Sequence, residues 1–270
     1  MIFDFSGKTY IVSGAAQGIG AATARSLQQA GATVICLDRD SKGLQQYAEH
    51  SFATQASRAS LSATSLSAGP KFDCYTAELS DQSEVQKLVK GLYEKYATID
   101  GFVNAAGGVC GQVGQPLEHI EVEAWQDIFD ANLHTALWMC QALTPQMKAA
   151  GKGAIVTISS GAGLRPSLTG IQAYTSAKHA LIGFTKQLAQ ELGPHGIWVN
   201  CIAPGFVLSN PSTLKQWQAL GTEKQQDMID NINMRRLGSG QDIANSVLFL
   251  LSEQANWISG QVLSVDGGHR

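Results

Sequence analysis

The stretch Lys8-Thr9-Tyr10-Ile11-Val12-Ser13-Gly14-Ala15-Ala16-Gln17-Gly18-Ile19-Gly20 decides the fold. Lys8 to Val12 is a short apolar run, read as a strand. It passes directly into a turn with glycine at 14, 18 and 20. Residues 21–30 then read as a helix, and Gly31 stands where a helix end favours glycine. Strand, glycine-rich turn and helix in that order are the setting of a dinucleotide fingerprint. Gly14 allows the tight turn. Gly18 lets backbone approach a pyrophosphate, and Gly20 lets helix and strand pack closely. Ser13, Gln17 and Ile19 complete the turn. The first N–H groups of the helix, at the positive end of its dipole, offer themselves to the phosphates.

The next strand, Thr33 to Leu37, ends in Asp38, eighteen residues past Gly20. That is about where a residue reading the adenosine ribose belongs. A carboxylate accepts hydrogen bonds from the ribose hydroxyls. At close range it repels a 2′-phosphate by ~4 kcal/mol at an effective dielectric near 20. Asp38 therefore points to NAD over NADP. Arg39 beside it has two readings, a solvated charge or a partner for a phosphate.

A second informative stretch runs from Ile158 to Lys178. It begins at the end of an apolar, β-branched run, 154–158, read as a buried parallel strand. Ser159 and Ser160 stand at that strand's C-terminal end. A glycine-rich turn follows, then a helical segment with Tyr174 and Lys178. A spacing of four places both side chains on one helix face. An ammonium beside a phenol favours the phenolate and predicts a pKa below the ordinary value of about 10. A serine hydroxyl bonded to the same substrate oxygen would complete an acid/base device for alcohols and carbonyls.

The glycine turn, the Ser-Ser strand end and the Tyr-x-x-x-Lys pair together resemble the short-chain dehydrogenase/reductase family. The resemblance spans Gly7 to Gly268. It implies one Rossmann-type, doubly wound α/β domain over 1–270, with three layers and seven parallel strands in the order 3-2-1-4-5-6-7. It implies catalysis by Asn132, Ser160, Tyr174 and Lys178. Ser160 is chosen over Ser159 because the second serine matches the family pattern. Asn132, within a long helix read over 121–150, is expected to hold a water against Lys178. The implied cofactor contacts continue through Glu78 and Leu79, Asn104, Ala105, Ala106 and Gly107, and Pro204, Gly205, Val207 and Ser209. Tyr174 and Lys178 also face the cofactor. The family's usual Asp is Glu78 here, and its second Asn is Ala105. Residues 108–114 read as a flexible lip, and about 206–236 as a substrate lid. Within that lid Trp217, Met228 and Met234 are either packing or substrate contacts. The family also implies a homotetramer built through the helices carrying Asn132 and Tyr174.

The bulk composition sets limits. With 270 residues, 44% hydrophobic and 15% charged, the chain reads as a globular protein large enough to bury a core without staples. Net charge −3 gives no basic footprint for nucleic acid. No apolar run reaches membrane-spanning length, and the first residues lack a signal-peptide pattern. Five scattered cysteines without Cys-x-x-Cys suggest reduced thiols in the cytoplasm. The histidines show no metal-ligand spacing, so no metal is expected. Residues 51–70 include thirteen Ser, Thr or Ala and read as a low-complexity surface insertion.

The reading is an NAD-dependent oxidoreductase interconverting a secondary alcohol and a ketone. The glycine-rich lip, the polar lid and Arg165 suggest a polar substrate such as a sugar, polyol or hydroxy acid. Arg165 is either a carboxylate partner or a solvated loop residue. An NADPH-dependent 3-oxoacyl-type reductase is the alternative. A non-catalytic NAD-binding sensor is the alternative of another class, and the retained Ser, Tyr and Lys oppose it.

Overall fold

The computed structural model describes residues 3–49, 72–167 and 169–268. The insertion read at 51–70 lies outside them. The strands are β1 (Thr9–Ser13), β2 (Thr33–Asp38), β3 (Phe72–Thr76), β4 (Gly101–Asn104), β5 (Gly153–Ile158), β6 (Ile197–Pro204) and β7 (Val262–Val265). All pair in parallel, in the order β3-β2-β1-β4-β5-β6-β7, as expected. The helices are α1 (Gly18–Gln29), α2 (41–49), α3 (Gln82–Lys95), α4 (Val122–Phe129), α5 (Thr135–Ala150), α6 (Gln172–Leu192), α7 (Pro211–Ala219), α8 (Gly221–Asp230) and α9 (Gly240–Leu251).

Alternate strand residues build two cores, one on each face of the sheet. Val12, Val34, Val103 and Val156 meet Leu27 of α1 and Ile243 and Val247 of α9. Ile11, Ile35, Phe102 and Ile155 meet Val89 of α3, Leu143 of α5 and Leu192 of α6. Strands covered on both sides must be apolar at successive positions, which explains their unbroken hydrophobic runs. Each large side chain so buried contributes about 1.5–3 kcal/mol.

The register brings the functional loops to one edge. Ser13 pairs with Leu37 and Asn104, Asn104 with Thr157, and Ile158 with Ile202. The chain therefore leaves β1, β2, β4, β5 and β6 along the same rim. In an open parallel sheet that rim is where ligands bind.

One helix differs from its sequence reading. The run over 121–150 is α4 and α5 joined by a π-turn at Asp130–His134, with Asn132 in it. A π-turn inserts an extra residue and often marks a functional site. The Asn132 amide donates to Ile128 O at 2.8 Å and to Gly108 O at 2.8 Å. Its Oδ1 accepts from Gly108 N at 2.9 Å. The bulge is thus held by a side chain that leaves its own helix to clamp the loop after β4.

Candidate active site

The glycine turn has the geometry its sequence predicts. Gly14 has φ +67°, and a Cβ there would lie 2.6 Å from Ala105 O. A Cβ on Gly20 would collide with Gly14 O. Turn, helix and the β4 exit are therefore packed backbone to backbone. Gln17 caps α1 without a side-chain hydrogen bond, and no acidic residue occupies the first turn. The leading N–H groups of α1 have no side-chain acceptor, and no carboxylate opposes an anion there. A pyrophosphate fits this cradle. Ser13 lies at the end of β1, at the start of this turn. It is fully buried, its Oγ donates to Asn104 Oδ1 at 3.0 Å, and it accepts from Ala106 N at 3.2 Å. Its side chain points across the sheet to β4 and braces the Asn104–Gly107 exit. Asn104 is buried with it.

At the β2 end, Asp38 Oδ2 accepts from Ala16 N at 3.0 Å, and Oδ1 accepts from Asp40 N at 3.0 Å. These bonds fix the carboxylate beside the glycine turn. Arg39 turns outward and lies 3.9 Å from Glu78. Glu78 in turn accepts from the Ser80 hydroxyl at 2.9 Å. Both Arg39 and Glu78 are solvated and paired with each other. Leu79 is buried beside them.

At the β5 end the two serines part company. Ser159 is buried, and its Oγ donates to Lys178 O at 3.0 Å. It ties β5 to α6. Ser160 begins a short 3-10 turn, accepts from Ala162 N at 3.1 Å, and hydrogen-bonds the Tyr174 phenol. Lys178 Nζ lies 5.7 Å from the Tyr174 ring centroid and donates to Ile158 O at 2.9 Å. Ser160, Tyr174 and Lys178 therefore share one corner, in which Lys178 is buried and the two hydroxyl residues are partly exposed.

The electrostatics of this corner differ from the sequence reading. Burial raises the Tyr174 phenol above its ordinary value, and the Ser160 hydrogen bond only partly offsets this. Burial also pushes the Lys178 ammonium down to about 8. Desolvation penalises both charged forms and is the largest cause of each shift. In the protein alone the phenol is protonated at neutral pH.

Around this corner, Gly107 has φ +136° against Asn132 Oδ1, so the root of the lip is clamped. Beyond it, residues 108–116 are irregular. Opposite, Val207 is buried and bridges Gly238. A Cβ on Gly205 would lie 2.7 Å from that of Asp266, so the Pro204–Gly205 turn packs tightly on the chain after β7. The expected lid contains α7 and α8, which polar composition hid from periodicity. Asn210 caps α7 through a capping box with Thr213. Ser209 Oγ comes within 3.4 Å of a Cβ built on Gly18, so the lid's first residues lie across the glycine turn. Trp217 packs on Phe206 with centroids 5.9 Å apart, which assigns it to lid packing. Arg165 lies 3.8 Å from Asp266. Sequence reading missed that pairing, because its two halves are 101 residues apart.

Known proteins resemble this chain over nearly its whole length. A family model described as enoyl-(acyl carrier protein) reductase matches residues 14–270. A short-chain dehydrogenase/reductase of Pyricularia oryzae, ABA4, is 33% identical, with 98% of this chain and 93% of that protein covered. The 3-oxoacyl-[acyl-carrier-protein] reductase FabG of Chlamydia muridarum is 34% identical over 97% of this chain and 96% of its own. A solved structure titled as a putative NAD(P)-dependent gluconate 5-dehydrogenase from Beutenbergia cavernae, with bound NADP, superposes with a TM-score of 0.85. It is 28% identical, covering 99% of this chain and 98% of that one.

Proposed function

The chain belongs to the short-chain dehydrogenase/reductase family, and from that premise we propose that it interconverts a polar secondary alcohol and its ketone using NAD. It is an oxidoreductase acting on CH–OH and carbonyl groups with NAD or NADP. The observation that carries the mechanism is the Ser160–Tyr174–Lys178 corner at the rim where the glycine turn ends.

The glycine turn 14–20 would hold the pyrophosphate and Asp38 the adenosine ribose. The Asn104–Gly107 exit and Pro204–Ser209 would flank the nicotinamide end. When bound, the nicotinamide supplies or accepts the hydride. The chain's part is position and protons. Tyr174 Oη exchanges a proton with the substrate oxygen, as base in oxidation and acid in reduction. Ser160 donates to that oxygen and orients it. Lys178 is held by Ile158 O with its ammonium against the Tyr174 ring, where it favours the phenolate and reaches for the ribose. Asn132 acts by position. Both of its amide hydrogens are committed, to Gly108 and Ile128, so it fixes the lip rather than passing a proton through its side chain.

The preference for NAD rests on Asp38, held toward the glycine turn, and on Arg39 being paired with Glu78. The polar lid supports a sugar, polyol or hydroxy acid. Arg165 adds little to that, since Asp266 is its partner. The alternative, an NADPH-dependent 3-oxoacyl-type reductase, draws on the FabG likeness; Asp38 and the net charge of −3 oppose it. Among the described residues no helix is long and apolar enough to cross a membrane. A cytoplasmic homotetramer completes the proposal, and sedimentation of the purified protein tests the assembly.

The deciding experiment is a panel of sugars, polyols, hydroxy acids, steroids and a 3-oxoacyl thioester, run with both dinucleotides and followed by nicotinamide absorbance. Turnover of a polar alcohol with NAD supports the reading. Turnover confined to the thioester with NADPH overturns it.

A further inference from the structure

The adenosine side of the sheet contains a pair of thiols that the dehydrogenase chemistry does not use. Cys36 of β2 and Cys74 of β3 are direct partners in the parallel register. Their side chains lie on the same face, since Cys36 belongs to the core beneath α1 and Cys74 packs against that core. The two thiols are close enough to influence each other: Cys36 favours the thiolate form of Cys74. Both are free in this structure.

From this juxtaposition we propose that Cys36 and Cys74 form an oxidation-sensitive dithiol that closes to an intrachain disulfide. Adjacent strands lie ~4.8 Å apart, within the ~4.4–6.8 Å Cα separation that disulfides span. Bringing the sulfurs to bonding distance requires the two side chains to turn toward each other and the strands to shift slightly toward the commoner Cα separation of ~5.5–6 Å. β3 can make that movement because, among the described residues, it is the edge strand, paired only with β2.

The two sulfurs have different roles. Cys74 is half-buried, and the neighbouring Cys36 lowers its pKa, so it is the reachable and more nucleophilic thiol. Cys36 is fully buried and held protonated. With a peroxide as oxidant, the Cys74 thiolate attacks one peroxide oxygen and the O–O bond breaks. Water leaves after protonation, and Cys74 becomes a sulfenic acid. The Cys36 sulfur then attacks the Cys74 sulfur, the S–OH bond breaks, and the second water carries away the Cys36 proton. Two thiols are oxidised, one peroxide is reduced to two waters, and no further reactant is needed.

The remaining cysteines form internal controls. Cys140 and Cys201 are buried apart, and Cys110 is exposed on the lip, bonded weakly only to backbone carbonyls. The bond would form two residues before Asp38, in a strand pair that also carries the Ala77 N to Asp38 O hydrogen bond at 3.0 Å. The proposal itself does not depend on the enzyme's substrate or cofactor.

The test uses the full-length reduced protein, exposed to hydrogen peroxide, blocked with an alkylating reagent and mapped by mass spectrometry. The expected product is one crosslinked peptide pair containing Cys36 and Cys74, with loss of both thiols from alkylation. Dithiothreitol should restore both. Cys74→Ser, at the half-buried position, should leave Cys36 a free thiol after the same treatment even if Cys36→Ser fails to fold. Two results would overturn the proposal: Cys74 advancing to a sulfinic acid while Cys36 stays reduced, or Cys110 oxidised with the pair untouched.

Discussion

The two halves of the cleft are built in different ways. The adenosine half, from β1 through α1 to Asp38, is regular structure locked by backbone contacts: Gly14 against Ala105, Gly20 against Gly14, Asp38 against Ala16. The substrate half is two serines, a clamped loop and a lid of two short helices. The first half recognises a ligand of fixed shape, so rigidity costs it nothing. The second positions chemistry on one corner anchored by the buried Lys178 and leaves its walls irregular, which is where substrate choice can vary without disturbing the sheet.

That contrast predicts which half breaks in which way. Gly20→Ala should give the largest change, because its methyl collides with backbone that has nowhere to move. Overpacking of this kind costs ~1–3 kcal/mol or more. Denaturant unfolding should report that loss, together with loss of dinucleotide binding. A substitution in the substrate half should instead lower turnover and spare stability. Ser160→Ala should reduce kcat about a hundredfold, the lower range for removing one oxyanion-type donor. Its neighbour Ser159→Ala should cost about 1 kcal/mol of stability and keep most of the rate. If the two serines exchange these effects in kinetics and melting, the division between brace and donor is wrong.

Asp38→Asn tests the adenosine half more gently. One acceptor oxygen remains for Ala16 N, while the charge is lost. The ratio of kcat/KM for NAD over NADP should fall about tenfold, equivalent to ~1.4 kcal/mol. An unchanged ratio would remove the charge argument.

The smallest expected effect is a pH dependence. The folded-state pKa of Lys178 lies near 8, below its ordinary 10.5. Between those values the unfolded chain binds more protons than the folded one, so this group's contribution to stability increases as pH rises through the window. Below about 8 the cost of burying the charge is fully present. The difference in Tm between wild type and Lys178→Met should therefore move in favour of wild type from pH 8 upward. A flat difference would contradict the burial argument.

What the sequence made legible follows the same division. The glycine turn and the Tyr174–Lys178 pair were readable because each depends on residues close in sequence, whereas the strand order and the choice of Ser160 came from the family resemblance those motifs carry. The direction of the Ser13 side chain was not legible, because it depends on which neighbouring strand the residue meets. The π-turn at Asn132 was invisible because its cause, the clamp on Gly108, lies 24 residues away. The lid helices were hidden by polar composition, and the raised Tyr174 phenol by burial that only the folded chain creates.

The most direct measurement on the central claim is Tyr174→Phe, assayed for turnover with the best substrate of the panel and for NAD binding by calorimetry in the same preparation. The account predicts NAD affinity within about threefold of wild type, since the phenol adds little to binding at the glycine turn. It predicts turnover lower by ~10²–10⁴, the range general acid–base catalysis contributes. Turnover retained at the wild-type rate with binding intact would contradict it.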